Sequence, residues 1–307
     1  MTQILRMSNV KGVLSNFWNT LLTIAKVIIL SRPTKLKNIT PKLSSNSKCL
    51  IIGNGPSLKQ ELSENRLFFD SVTSICVNYF PLSEEFENVK PNAIVLHAPE
   101  FWIENVKDEY RIGRKKLFDT LIERTNWKLI LYAPIKAKKS KVFINYLQTN
   151  KNIYLSFYND TPVEGFDYTN AFLFNLGLGL PRPHNVVIPS LLLALRQNFD
   201  EIYLTGVDHS WLKEISVDSE NRVLVGQYHF YDDNNIKPEP MNKVGREKTR
   251  NIAEVLEKFI YTFRSYYAID TYAKNKNVKI YNATRGSFID AFDRIDLKNI
   301  NYDTKGN

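Results

Sequence analysis

Beyond residue 48 the chain alternates short, almost wholly apolar runs with longer stretches of three- and four-residue apolar spacing. The short runs are Cys49-Leu50-Ile51-Ile52, Ser74-Ile75-Cys76-Val77, Ala93-Ile94-Val95-Leu96, Leu129-Ile130-Leu131-Tyr132, Ile153-Tyr154-Leu155, Ile202-Tyr203-Leu204 and Val278-Lys279-Ile280-Tyr281. Several are apolar at every position, as strands covered on both faces must be. Helical spacing between them predicts helices over 57–68, 103–123, 139–147, 188–197 and 247–274. The alternation predicts an α/β fold, a doubly wound, mostly parallel, Rossmann-like sheet with right-handed crossovers. Ligands of such sheets bind beyond the carboxyl ends of the strands, so the residues just after each apolar run are the site candidates. Residues 210–244 are polar, aromatic and rich in Asp, Asn and Pro without a sustained period, which predicts an irregular, lid-like segment.

The N-terminal region has a different pattern. Leu14, Phe17, Trp18, Leu21, Leu22, Ala25, Ile28 and Ile29 form a helical stripe, with Ser15, Asn16, Asn19, Thr23 and Lys26 filling the other face. The run falls short of the roughly twenty apolar residues that a spanning helix needs. It is also flanked by Arg6, Lys11, Arg32, Lys35 and Lys37, which suits a helix lying on an anionic membrane surface. A helix that simply docks on the domain satisfies the same pattern. No small-residue cleavage motif follows, and Lys predominates over Arg, which argues against a signal or transit peptide. Residues 31–48 read as a linker. The expected organisation is therefore a basic amphipathic segment with linker over 1–47 and one domain over 48–307.

Charge sharpens this division. The net charge is +9, but residues 1–48 carry eight of the 41 Lys and Arg and no acid, so 33 basic face 32 acidic residues downstream. A near-neutral body excludes a nucleic-acid groove and assigns the basic character to the N-terminal segment. Cys49 and Cys76 both lie in strand-like runs without metal or disulfide spacing and read as small buried hydrophobes.

The first apolar run enters Gly53-Asn54-Gly55-Pro56-Ser57-Leu58, and Ser57 with Gln60 has the spacing of a capping box. Two glycines permit a sharp turn and close backbone approach, and the free N–H groups of a first helical turn favour a phosphate. A dinucleotide fingerprint would need glycine where Leu58 stands, and a P-loop would need Gly-Lys-Ser/Thr. The ordinary NAD and ATP readings are therefore weakened.

With this loop the sequence resembles the bacterial sialyltransferases of glycosyltransferase family 42. It also resembles a related group, the 6-hydroxymethylpterin pyrophosphokinase-like proteins and motility-associated flagellin glycosyltransferases. A second match is Glu201-Ile202-Tyr203-Leu204-Thr205-Gly206-Val207-Asp208, similar to the family's strand ending in Gly-(Ile/Val)-Asp. The resemblance spans residues 48 to about 292 and implies a GT-A-type variant of the Rossmann-like sheet. It implies that Gly53, Asn54, Gly55, Ser57 and Gly206 approach the donor phosphate and ribose, and that Asn78 contacts the nucleotide. Arg182 to Val187, including Asn185, falls where the family has Arg-x-Thr-Ser-Gly beside the cytidine, but here reads Arg-Pro-His-Asn-Val-Val. The family's histidine, shortly before a long helix, is replaced by Val244-Gly245-Arg246-Glu247-Lys248.

Displacing a nucleoside monophosphate from an anomeric carbon needs a base for the acceptor hydroxyl and donors for the departing phosphate. His229, between Tyr228 and Tyr231, is the first candidate base, with the tyrosines as donors; His209, beside Asp208, is the rival. His97 and His184, at a strand end and a helix start, are candidate wall residues. Asp208, Asp232 and Asp233 do not form the Asp-x-Asp of a metal-dependent enzyme, and the resemblance also implies metal-independent transfer with no cofactor beyond a CMP-sugar substrate. The stripe Ile252, Val255, Leu256, Phe259, Ile260, Phe263 is expected to pack in the core; Arg285 can meet an acidic ligand, and Ser287 is expected to cap a helix. Three functions remain in play. The leading one is transfer of a sialic or related acidic sugar to a glycan in surface polysaccharide or lipooligosaccharide assembly at the cytoplasmic face of a bacterial inner membrane. The others are pyrophosphoryl transfer onto a pterin and a non-catalytic nucleotide-binding scaffold. Homo-oligomerisation is left open.

Overall fold

The computed structural model describes residues 2–33, 47–197, 199–226, 228–231, 238–241 and 249–300, with side chains from Gly12 onward. Its centre is an eight-stranded sheet in which every neighbouring pair is parallel. The strands are β1 (Lys48–Ile52), β2 (Thr73–Val77), β3 (Ala93–Val95), β4 (Leu129–Pro134), β5 (Ile153–Tyr158), β6 (Glu201–Thr205), β10 (Lys279–Asn282) and β11 (Asp293–Arg294). Their spatial order is β11-β10-β6-β1-β2-β3-β4-β5. From β1 the chain winds outward through β2 to β5, then returns to place β6 on the other side of β1. That reversal is the topological switch point, and the loops after β1 and β6 flank it.

The two-residue period of the strands sorts their side chains into two cores. Cys49, Ile51, Ile75, Val95, Ile202 and Leu204 face one layer; Leu50, Ile52, Cys76, Ile94, Leu129 and Leu131 face the other. Each fully buried Leu or Ile contributes on the order of 2 kcal/mol, which is why strands apolar at every position are stable only here. The first layer holds α7 (Asp167–Leu176), α8 (Val187–Leu195) and α9 (Ile252–Asn275). All nine residues of α8 are buried, as a helix apolar on every side requires. The second layer holds α2 (Leu58–Glu64), α3 (Arg66–Ser71), α4 (Glu85–Val89), α5 (Asp108–Arg124) and α6 (Lys141–Leu147).

Several expectations are corrected. The helix predicted over 57–68 breaks at Asn65, which sits at φ −125° and bonds Glu61 through its side chain. Residues 210–244 are not wholly irregular: β7 (Ile215–Val217), β8 (Val223–Val225) and β9 (Glu239–Pro240) form a small antiparallel sheet. Asp218 builds its first turn by accepting N–H bonds from Glu220 at 3.0 Å and Arg222 at 2.8 Å. Strands this short carry too few alternations to show a period. The α9 stripe is also rotated from its expected position. Val255, Phe259, Thr262, Ser265, Tyr266 and Ile269 are buried, whereas Ile252, Leu256 and Ile260 are exposed.

The N-terminal helix α1 (Thr2–Leu30) is longer than its apolar stripe. Its polar side is bonded to the domain. Thr20 accepts the Phe166 N–H at 3.0 Å, and Thr23 both accepts the Glu164 N–H at 3.0 Å and donates to the Glu164 carbonyl at 2.8 Å. Ser31 donates to Thr161 at 2.8 Å, and the Asn159 amide clamps both backbone groups of Arg32. The opposite side leaves Leu14, Phe17, Trp18, Leu22, Ile28 and Ile29 exposed.

Candidate functional site

The two motif loops dock on each other at the switch point. The Gly53 N–H donates to the Thr205 carbonyl at 2.8 Å, and the Gly55 N–H to the Gly206 carbonyl at 2.7 Å. A Cβ on Gly53 would lie 2.3 Å from the Gly206 oxygen, so a side chain there would separate the loops. Gly206 itself sits at φ +65°, the left-handed region that favours glycine. The loop after β10 braces this pair. Thr284 Oγ1 accepts the Val207 N–H at 3.1 Å, Ser287 Oγ donates to the Val207 carbonyl at 2.8 Å, and the Phe288 N–H donates to the Asp208 carbonyl at 2.9 Å.

Asp208 changes the reading of the first loop. Its carboxylate accepts the Ser57 hydroxyl at 2.9 Å and the Ser57 N–H at 3.3 Å, filling the start of α2 where a phosphate was expected. Burial raises its pKa, and the Ser57 bonds oppose that rise. Ser57 therefore faces Asp208 rather than the cavity, and it makes no capping box; Gln60 bonds Glu64 instead. The backbone reason is that the Gly206 turn carries the next carboxylate across the gap between the two strands.

A cavity of about 840 Å³ opens at this edge, within the range of small-molecule sites. Of the expected residues, Gly53, Asn54, Gly55, Asn78, Asn185, Gly206, Asp208, His209, Tyr228 and His229 line it. Asn54 donates its amide to the Val77 carbonyl at 3.1 Å, while its Oδ1 is buried without a partner. Asn78, at φ +46°, accepts the His97 N–H at 3.3 Å, which fixes the turn after β2. His229 is held against the first loop because the Phe230 N–H donates to the Asn54 carbonyl at 2.9 Å and the Phe230 ring packs beside Phe80. Tyr231 stacks on His229 with ring centroids 5.2 Å apart but is not in the cavity wall.

His97 and His184 also line the cavity as expected, whereas several other expected roles change. Arg182 is outside the wall: it makes a two-point pair with Glu164 at 2.6 and 3.0 Å and lies 4.3 Å over the Tyr261 ring. Asn185 Oδ1 accepts the Val187 and Ile188 N–H groups and so caps α8. His209 is buried against Trp211, its Nε2 is 2.5 Å from the Tyr266 hydroxyl, and burial pushes its pKa down to about 3. It is a weak base. Arg285 pairs with Glu61 and Glu64 rather than with a ligand edge, and no helix starts at Ser287, whose Oγ accepts the Ile289 N–H at 3.2 Å. His97 bridges the Tyr158 hydroxyl and the Pro183 carbonyl at 2.9 and 3.0 Å, and burial lowers its pKa. Among the described residues no cluster of three His, Cys, Asp or Glu is arranged for a metal; Asp232, Asp233 and the 244–248 segment lie outside them.

No protein-family model matches the chain, and no curated protein matches it. Among solved structures it is similar to a MAf glycosyltransferase from Magnetospirillum magneticum, with 14% identity and a TM-score of 0.49 over 93% of this chain and 39% of that one. It is also similar to a mammalian sialyltransferase, with 15% identity and a TM-score of 0.38 over 84% of this chain and 77% of that one. The chain thus spans well under half the length of the Magnetospirillum protein.

Sequence reasoning did not single out Trp102, Glu214, Arg250, Lys258 or Thr262, all of which line the cavity. One signal was available. Val255, Lys258, Phe259 and Thr262 share a helical face, so Lys258 and Thr262 are polar residues on the buried side of α9.

Proposed function

We propose that the protein is a glycosyltransferase that moves a sialic acid or related acidic sugar from a CMP-activated donor to a glycan acceptor. The observation that carries this reading is the junction of the Gly53–Pro56 and Gly206–Asp208 loops at the switch point, with His229 on the wall of the same cavity. The resemblance of both loops to the family 42 sialyltransferases supplies the donor class. Asn54 and Asn78 present amides where a nucleoside would lie beyond β1 and β2. His229 is the proposed base for the acceptor hydroxyl, and Tyr228 donates toward the departing phosphate. The transfer is proposed to need no metal. Hydrolysis and transfer measured over a panel of nucleotide sugars, with and without a chelator, test this directly. Activity with CMP–N-acetylneuraminate that survives chelation and is lost in His229→Ala is the expected result; no binding or turnover of any nucleotide sugar overturns the reading.

A peripheral position on the cytoplasmic face of the inner membrane belongs to the same proposal. Helix α7, whose preceding residue Phe166 is bonded to Thr20 of α1, also exposes Tyr168, Phe172 and Leu176 at four-residue spacing. Exposed apolar side chains in this number mark an interaction face, and the acid-free, Lys-rich N-terminal segment complements anionic headgroups. Contrary to the expectation that the run falls short, the Gly12–Leu30 stretch is long and apolar enough, by length and composition, to cross a membrane. The Thr20, Thr23 and Ser31 bonds, however, hold the helix along the domain, which favours a surface position. Substituting Trp18, Leu22 and Ile29 with Ser leaves those bonds intact and should abolish flotation with anionic vesicles; unchanged flotation refutes the membrane role.

A further inference from the structure

The cavity wall at and before the start of α9 collects basic groups that have no counter-ion among the described residues. Arg250, Lys258 and His184 all line it. Arg250 is positioned by its N–H, which donates to the Met241 carbonyl at 2.9 Å, yet its Nε is buried without a partner. His184 stacks on Tyr261 with centroids 5.7 Å apart, and its Nε2 is likewise buried and unpartnered. The Lys258 ammonium has the Met241 sulfur at 4.0 Å as its contact. The nearby carboxylates are engaged elsewhere: Asp160 with Lys136, Asp208 with Ser57 and Glu164 with Arg182. Glu214, also in the wall, forms no ion pair with Arg250 or Lys258. These like charges repel: Arg250 depresses the Lys258 pKa, and both depress that of His184, each adding to the larger effect of burial.

Buried polar groups without partners need an explanation, and a bound ligand is one. At the cavity they have a polarity. Asn54 Oδ1, in the first loop, accepts and asks for a donor; Arg250 Nε, just before α9, donates and asks for an acceptor. We propose that this wall is an anion subsite in which Arg250, Lys258 and His184 hold a carboxylate or phosphate group other than the nucleotide's own phosphate, while the nucleoside contacts Asn54. The assignment of the nucleoside part rests on the glycosyltransferase reading; the anion subsite itself does not. The acid has two sources, the sugar of the donor or an acidic group on the acceptor.

Calorimetric titration of the full chain with inorganic pyrophosphate, CMP, CMP–N-acetylneuraminate, and glucose 1-phosphate in the presence of CMP tests it. The variants are Arg250→Gln and Lys258→Met, each checked for an unchanged melting temperature; the conservative Lys258→Arg serves if Lys258→Met fails to fold and should keep binding. The variants should lose about tenfold or more in pyrophosphate affinity, as loss of a charge-assisted hydrogen bond implies, while CMP affinity is retained. An added loss for CMP–N-acetylneuraminate alone places the acid on the donor, and one for glucose 1-phosphate alone places it on the acceptor; both sustain the subsite. Equal affinities in wild type and variants overturn it, as does a parallel loss for CMP. Pyrophosphate binding that depends on Arg250, with no nucleotide binding at all, keeps the subsite and rejects the glycosyltransferase reading.

Discussion

Replacing Gly55 with alanine separates a packing role for the first loop from a phosphate-binding one. An alanine Cβ would stand 1.8 Å from Asp208 Oδ2 and 2.8 Å from the Gly206 carbonyl oxygen. The carboxylate must withdraw by more than an ångström, which breaks its bonds to the Ser57 hydroxyl and N–H. Hydrogen bonds to a charged group contribute about 1.5–3 kcal/mol each, and the longer N–H bond is the weaker, so their loss costs about 3 kcal/mol. Residual crowding against the Gly206 carbonyl adds about 1 kcal/mol. Asp208→Ala removes the same bonds and should cost about 3 kcal/mol alone. The double variant loses those bonds once, so it should cost about 4 kcal/mol rather than the additive total of about 7, a coupling of about 3 kcal/mol. Urea denaturation followed by far-ultraviolet circular dichroism measures all three values. Additive costs, or a Gly55→Ala protein of native stability that has lost only nucleotide affinity, would refute the packing account and return this glycine to the phosphate.

His209 predicts a pH dependence. Its folded pKa of about 3 lies below the value of about 6.5 expected when unfolded, so the unfolded state binds the proton first. Its stabilising contribution is fully present above the unfolded value and is lost as pH falls toward 3, amounting to about 2 kcal/mol between pH 7 and 5. His209→Gln should reduce that slope in denaturation series at several pH values, leaving the part due to His97 and His184, whose pKa values burial also lowers; an unchanged slope would show that His209 protonates freely in the fold. Arg182→Gln should lower stability by about 1 kcal/mol, since its pair with Glu164 is about one-third exposed, and leave CMP affinity intact. A selective fall in CMP affinity would restore the nucleotide role implied by the resemblance.

The strands and the two motif loops were legible because their determinants are local. A run such as Leu50-Ile51-Ile52 is stable only when covered on both faces, and Gly-Asn-Gly-Pro can only turn. Strand ends pointed to the sheet edge where Gly53, Asn78 and Gly206 line the cavity, and His229 reaches the same wall from the lid-like segment. Helix α7 and strand β11 escaped because β11 has only two residues and α7 carries a weak apolar stripe, half of it exposed.

The side-chain partners were decided by the tertiary structure. Ser57 with Gln60 has the local spacing of a capping box, yet Asp208, 151 residues away, reaches Ser57 first because parallel pairing brings β6 beside β1. Arg182 reads as a free cation in the chain, but Glu164 neutralises it. Lys258 sits on a helix face that looks like core, and only the fold shows that this face opens onto a cavity. Backbone state follows from neighbours in sequence, through sterics and the period of apolar burial. Whether a polar group is free, capped or paired depends on groups distant in sequence, and their arrival is set by how the strands are ordered in the sheet.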